Sequence, residues 1–225
     1  SVTTKQLHKR NLSGFFNLLR KNGFANLNPA SEIDLPKAVA KEKVFYEPWE
    51  VWLYLDTCLQ NQKFTLLGGA AIAAFFGGRY RETARVSWDQ VNFDAKRITY
   101  FAAQAKTKTR RILYRTDVGF AWIQHAKQNT SKTNITSNHA NQVIAPAVKK
   151  AISKWVKSKW PNSKSDRITS KWHEEGLDHQ NYLRQAFEGH AYIKFNYDLR
   201  GLAEVSGNSE ETIKKSYNGI VEPEA

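Results

Sequence analysis

A chain of 225 residues that is 41% hydrophobic and 12% aromatic can bury one good core and a small second unit, which excludes a disordered polyelectrolyte. Its net charge of +13 favours a polyanionic partner. The lone cysteine, Cys58, excludes an internal disulfide and points to a reducing cytoplasm rather than a secreted scaffold. The longest apolar run, from Phe64 to Gly78, is too short and too rich in glycine to span a bilayer, and the N-terminus is not a signal peptide. The chain starts at Ser1 and contains no methionine, as expected of an excised piece.

Residues 4–22 read as a helix, with a capping threonine before it and Leu12, Phe15, Phe16 and Leu19 as its apolar stripe. Asn22-Gly23 stops it. A short segment with Asn28-Pro29 leads to a Lys/Glu-rich linker over about 36–43. One helix and a turn cannot bury both of their sides, so this segment is expected to be the end of a helical domain. A second helix starts at Glu47-Pro48, with Val51, Trp52, Leu55, Cys58 and Leu59 inward. Residues 64–76 form a third, apolar nearly all round and so central. A fourth is expected over 79–87.

The period then changes to alternation. Residues 91–93, 98–103 and 110–115 read as strands, the last two joined by Lys106-Thr107-Lys108-Thr109. A helix over 118–127 and a polar loop over 128–141 follow. Residues 146–160 make a basic helix with Val148, Ile152, Trp155 and Val156 inward, and helices over 178–195, 198–205 and 209–217 close the chain. The class is mainly α with a small antiparallel β-sheet.

Four features carry chemistry. Arg79 and Glu82 lie three residues apart, straight after Gly77-Gly78. Alone they are an ordinary surface pair worth a few tenths of a kcal/mol. At a helix start, though, a guanidinium fork can hold two phosphate oxygens beside free backbone amides. Lys106 and Lys108 lie in a hairpin with Arg110 and Arg111, where charge also keeps strand edges soluble. Arg184 sits on a helix with Leu183, Phe187 and Ala191 inward. Gly207-Asn208 comes next, with Tyr217 nine residues after Asn208. A tyrosine nucleophile, two arginines and a lysine are what metal-free attack on a phosphodiester needs. His173, His179 and His190 are not at metal-ligand spacings, and there is neither a phosphate-binding glycine loop nor a carboxylate cluster. No metal, nucleotide or other cofactor is expected.

In order and spacing these blocks resemble the catalytic domain of the tyrosine recombinases, the phage-integrase family. The family's first block, G-x-R-x-x-E followed by Trp-Asp, reads Gly77-Gly78-Arg79-Tyr80-Arg81-Glu82 and Trp88-Asp89. Its hairpin lysine corresponds to Lys106, its His-x-x-Arg box to Asn181-Tyr182-Leu183-Arg184, its Leu-Gly-His box to Ser206-Gly207-Asn208, and its nucleophile to Tyr217. The resemblance covers roughly residues 44–225. Residues 1–43 resemble the last part of the family's helical, SAM-like core-binding domain plus a linker.

The resemblance implies a site-specific recombinase or integrase of a mobile element, bacterial or phage in origin and cytoplasmic. Tyr217 attacks a scissile phosphate to give a 3′-phosphotyrosine and a free 5′ hydroxyl. Arg79 and Arg184 stabilise the phosphorane, Lys106 is the general acid, Asn181 and Asn208 hydrogen-bond the phosphate, and Glu82 holds the first block in shape. Arg81, Lys108, Arg110, Arg111, Lys149 and Lys150 are expected to touch double-stranded DNA, and a homo-oligomer, a tetramer, is expected on DNA. The family usually has His where Asn181 stands and His or Trp where Asn208 stands, and many members have a second His at Gln185. Asn hydrogen-bonds a phosphate oxygen but cannot take a proton near neutral pH. Two alternatives follow: a DNA-binding relative of the same fold with weak or no chemistry, and a type IB topoisomerase-like enzyme that relaxes DNA.

Overall fold

The computed structural model describes residues 2–36, 46–105, 108–114, 117–135, 147, 148, 150, 151, 153–155, 157, 158, 182–194 and 198–217. The chain divides into two compact units, residues 1–42 and 43–225.

In the first unit α1 (Val2–Lys21) ends in a left-handed glycine, Gly23, at φ 77°. Gly23 N–H donates to Arg20 O at 3.2 Å and Phe24 N–H to Leu19 O at 2.9 Å. This is the paired C-terminal closure that an Asn-Gly stop favours. Asn28 caps a 3-10 turn (Pro29–Ser31), and its amide nitrogen returns to Ser13 O, Ser13 Oγ and Asn17 Oδ1. The α1 face turned to that segment therefore carries Ser13 and Phe16, while Leu12 and Phe15 stay exposed. Leu18, Phe24 and Leu27 are exposed as well.

The second unit is built around α3 (Phe64–Phe76), which packs against α2 (Pro48–Gln60), α5 (Asp117–Gln128) and α6 (Tyr182–Lys194). With neighbours on several sides, ten of its thirteen residues are buried, as its uniform apolarity requires. Gly68 lets it approach closely: a Cβ there would lie 3.0 Å from the Trp88 ring and 3.2 Å from Ile135. Helix α2 starts with Pro48 at its first position and a Glu47–Glu50 capping box. Its buried face includes Leu53, Tyr54, Leu55 and Cys58, whereas Trp52, expected inside, is 52% exposed. Contacts with both α3 and α6 turn the helix away from the simple stripe.

Strands β1 (Val91–Asn92), β2 (Arg97–Tyr100) and β3 (Arg111–Tyr114) form an antiparallel sheet in that order, with Ile98 opposite both Val91 and Leu113. β2 is shorter than its pattern because Gln104 folds back, accepting from Phe101 N–H and exchanging amide bonds with Gln90. The expected helix over 79–87 is also cut short. Helix α4 is only Tyr80–Thr83, and Val86 turns into the core. Ser87 and Gln90 then form a capping box that starts a new 3-10 turn, Trp88–Gln90.

Among residues 147–158 the described positions are helical, and Trp155 stacks on Trp49 with ring centroids 4.5 Å apart. Helix α7 (Leu199–Ser206) begins at the Asp198 cap, and α8 (Glu210–Tyr217) follows at once. The arrangement, mostly helical with one small antiparallel sheet, is the class the sequence implies.

Candidate active site

Two helix ends meet within the second unit. Helix α3 stops at Gly77, φ 63°, and α7 at Gly207, φ 64°, both left-handed. Helix C-termini leave carbonyl oxygens without helical partners. Here guanidinium groups satisfy them. Arg184, on α6, donates through Nη1 to Gly77 O and through Nη2 to Ser206 O at 2.9 Å. Arg111, on β3, donates to Ser206 O at 3.1 Å, and Arg79 donates to Gly207 O at 2.5 Å. Positive charge at a helix C-terminus is favoured by the helix dipole as well.

Two carboxylates balance these cations. Glu82 spans Arg79 (Oε1, 3.2 Å) and Arg111 (Oε2, 2.8 Å). Glu188 Oε1 takes Arg184 Nη2 at 2.6 Å and Asn208 Nδ2 at 2.6 Å. Asn208 Oδ1 in turn accepts from Arg79 Nη2 at 2.7 Å. Three guanidiniums thus face two carboxylates among the described residues, leaving one positive charge in excess. Glu82 and Glu188 are buried, and the side chains of Arg79, Arg111 and Arg184 are 19%, 14% and 6% exposed. Burial holds the Arg111 and Arg184 guanidiniums below the usual arginine range, opposed by Glu82 and Glu188 respectively.

The glycines are required for this geometry. A Cβ on Gly78 would lie 2.7 Å from the Tyr100 hydroxyl and 2.8 Å from Thr83 Oγ1, which hydrogen-bond each other at 2.8 Å. Burial pushes the Tyr100 hydroxyl up to about 12, so it stays protonated in that bond at neutral pH. Its ring also lies under Arg111 Cζ, 5.1 Å from the centroid. A Cβ on Gly207 would fall 2.2 Å from Arg111 Nη1. Gly207→Ala should therefore cost about 1–3 kcal/mol, combining left-handed strain with displacement of Arg111. Urea unfolding of the two proteins checks this.

Of the sequence-derived site residues, Arg79, Glu82, Arg184 and Asn208 come together, although the first and last of them are 129 positions apart. Tyr217 is the last residue of α8, the helix that starts just after Asn208, with Ser209 Oγ accepting from Thr212 N–H. Lys106, Asn181 and Lys149 lie outside the described residues, as do His173 and His179. Arg81, Lys108, Arg110 and Lys150 are exposed.

Among the described residues, Arg111 is the exception to the expected DNA-contacting cations. It begins β3 opposite Tyr100, lies over that buried ring, and so turns inward to Glu82 and Ser206 O. Helix α4, four residues long, also offers less dipole than the longer helix expected at Arg79. Arg111 and Glu188 are the two cluster members not foreseen as such. The i,i+4 spacing of Glu188 from Arg184 was the available signal, but that spacing is common on exposed helix faces.

No group of His, Cys, Asp and Glu side chains among the described residues could hold a metal ion. No described helix is long and apolar enough to cross a membrane. His190 Nε2 lies 3.1 Å from Tyr46 O.

No protein-family model and no curated protein sequence matches the chain. Solved structures do match its fold. A Tn1549 transposon integrase in complex with circular intermediate DNA superposes with a TM-score of 0.66 at 14% identity, over 96% of this chain and 75% of that one. The same integrase in complex with transposon right end DNA gives 0.64 at 14% identity, over 96% and 74%. XerA recombinase gives 0.53 at 12% identity, over 82% of this chain, which spans 64% of that protein. The fold is that of the tyrosine recombinase catalytic domain.

Proposed function

We propose that this chain is a tyrosine recombinase or integrase catalytic domain that cleaves and rejoins DNA through a covalent 3′-phosphotyrosine at Tyr217. The observation that carries the reading is the cluster of Arg79, Arg184 and Asn208, three residues distant in sequence, at the two helix ends that precede α8. The solved integrases that share the fold are bound to DNA, which supports double-stranded DNA as the partner.

In this reading Arg79 and Arg184 stabilise charge building on the phosphorus oxygens, and Asn208 donates from its amide. Lys106 protonates the departing 5′ oxygen, Asn181 hydrogen-bonds the phosphate, and Glu82 fixes Arg79. The Tyr217 oxygen–phosphorus bond replaces the phosphorus–5′ oxygen bond, the phenol proton leaves to water, and the phosphodiester energy is retained in the tyrosyl link, so the step needs neither nucleotide nor metal. The first unit contributes as part of a core-binding half-clamp, and Arg81, Lys108, Arg110, Lys149 and Lys150 contact the duplex.

A second reading, a DNA-binding relative with weak chemistry, is favoured by the occupancy of the cluster: Glu82, Glu188 and backbone carbonyls already bind the guanidiniums. Incubation with a nicked suicide duplex separates the two. A protein–DNA adduct that survives denaturation is expected for the recombinase, and binding without adduct for the relative. Recombination of two sites, rather than relaxation of supercoils alone, separates the recombinase from a topoisomerase-like enzyme.

Affinity for duplex DNA should fall steeply with salt, with log K changing by roughly 0.9 per phosphate contact for each unit of log salt. A titration between low and physiological salt checks this, and a flat profile would contradict a phosphate-dominated interface.

A further inference from the structure

The Asn208 amide stands between a carboxylate and a guanidinium. Glu188 Oε1 lies 2.6 Å from its Nδ2, and Arg79 Nη2 lies 2.7 Å from its Oδ1. An ionised carboxylate only accepts hydrogen bonds and a guanidinium only donates them. The amide therefore has one orientation, set from both ends rather than by its own rotamer. One Nδ2–H points to Glu188, and the other belongs to the same fixed plane. The same Glu188 oxygen also takes Arg184 Nη2 at 2.6 Å, so a chain of contacts runs Arg184–Glu188–Asn208–Arg79. Glu188 is buried in the middle of α6, one turn beyond Arg184, so helix geometry and packing hold it in place.

We propose that Glu188 is a positioning residue that fixes the Asn208 amide and couples it to both candidate phosphate-binding arginines. What the free N–H donates to, a phosphate oxygen, rests on the function proposed above; the orientation itself does not. The arrangement gives the neutral amide at 208 a fixed donor direction in a site whose residues cannot supply that direction by charge alone.

The test compares Glu188→Gln, Glu188→Ala, Asn208→Asp and the double variant Glu188→Gln/Asn208→Asp. Two measurements are made: single-turnover adduct formation with a nicked suicide duplex, and the Asn208 side-chain amide resonance in the DNA-free protein. Glu188→Gln keeps an oxygen that can accept from both Arg184 and Asn208, so it should retain the wild-type rate or exceed it. Glu188→Ala removes the acceptor and should slow adduct formation by about 10–100-fold, the loss expected for a hydrogen bond to a charged group. Asn208→Asp sets two carboxylates against each other and should be slower still. The double variant should stay slow, because the contact between 188 and 208 is restored but no N–H remains at 208 to donate to the phosphate.

Glu188→Gln as slow as Glu188→Ala would overturn the proposal, since charge rather than orientation would then matter. So would the double variant at the wild-type rate, since no N–H at 208 would then be needed, or Glu188→Ala at the wild-type rate. If Glu188→Ala does not fold, Glu188→Gln against Asn208→Asp decides, and equally slow rates overturn the proposal. If the wild-type protein forms no adduct, the recombinase reading fails, and the positioning role is decided by the resonance alone. It should shift in Glu188→Ala and move much less in Glu188→Gln, and an unmoved resonance in Glu188→Ala overturns the proposal.

Discussion

Tyr217→Phe should abolish covalent adduct formation and leave DNA affinity unchanged, because only the hydroxyl is removed. A free tyrosine ionises at about pH 10, so attack at neutral pH needs an environment that favours phenolate or takes its proton in the transition state. The Arg79–Arg184–Arg111 cluster, with one positive charge in excess among the described residues, sits at the start of the segment that ends in Tyr217. Denaturing gels of a suicide-substrate reaction measure the adduct, and salt-matched binding isotherms measure affinity. An adduct persisting in Tyr217→Phe means that another residue attacks, with Tyr192 and Tyr197 tested next.

Glu82→Ala should produce the largest loss of stability among the site substitutions. It leaves Arg79 and Arg111 without their shared carboxylate, while the side chains are only 19% and 14% exposed. Removing one partner of a buried pair costs about 3–5 kcal/mol, because the remaining charge stays desolvated. Against a typical domain stability of about 5–15 kcal/mol, that is enough to unfold a substantial fraction of the protein under mild stress. Glu82→Gln retains an acceptor and should cost less. Urea midpoints at matched ionic strength report both. A loss below about 1 kcal/mol for Glu82→Ala would mean that the pair behaves like a solvent-screened surface contact.

In the sequence alone Arg79 and Glu82 are an ordinary pair. Their spacing is that of countless exposed helical pairs. What removes the pair from that class is Arg111, which reaches the second Glu82 oxygen from β3. No local pattern joins position 82 to position 111. The same holds for Glu188, whose significance depends on Asn208 arriving from the end of α7. Ion pairs gain strength through burial, and burial is decided by chain segments far away in sequence.

The start of α2 and the span of α3 were legible because their signals are local: Pro48 at a first helical position, and an apolar run from Phe64 to Phe76. The 3-10 turn after Ser87 was equally local in cause, since Ser87-x-x-Gln90 is a capping box, but a helix continuing from Arg79 competes with it in a one-dimensional reading. The inward turn of Val86 into the core decides that competition. The end of β2 follows the same rule, because the Gln104–Gln90 amide pair that turns the chain joins two separate segments.

By itself, then, the sequence determined the mainly helical class with a small sheet, the positions of most helices, and the identities of Arg79, Glu82, Arg184 and Asn208 as candidates. The class and the helices follow from hydrophobic period and caps, which are properties of short windows, whereas the four candidates follow from the order and spacing of blocks along the chain, in which it resembles the tyrosine recombinases. Only the tertiary structure decided that Arg111 belongs to the buried cluster and not to the exposed hairpin charges, that Glu188 joins it, and that two left-handed glycines place the carbonyls of α3 and α7 where three guanidiniums can satisfy them. The reason is that buried charges are tolerated only when partners from several elements meet at hydrogen-bonding distance, and that meeting is a product of packing.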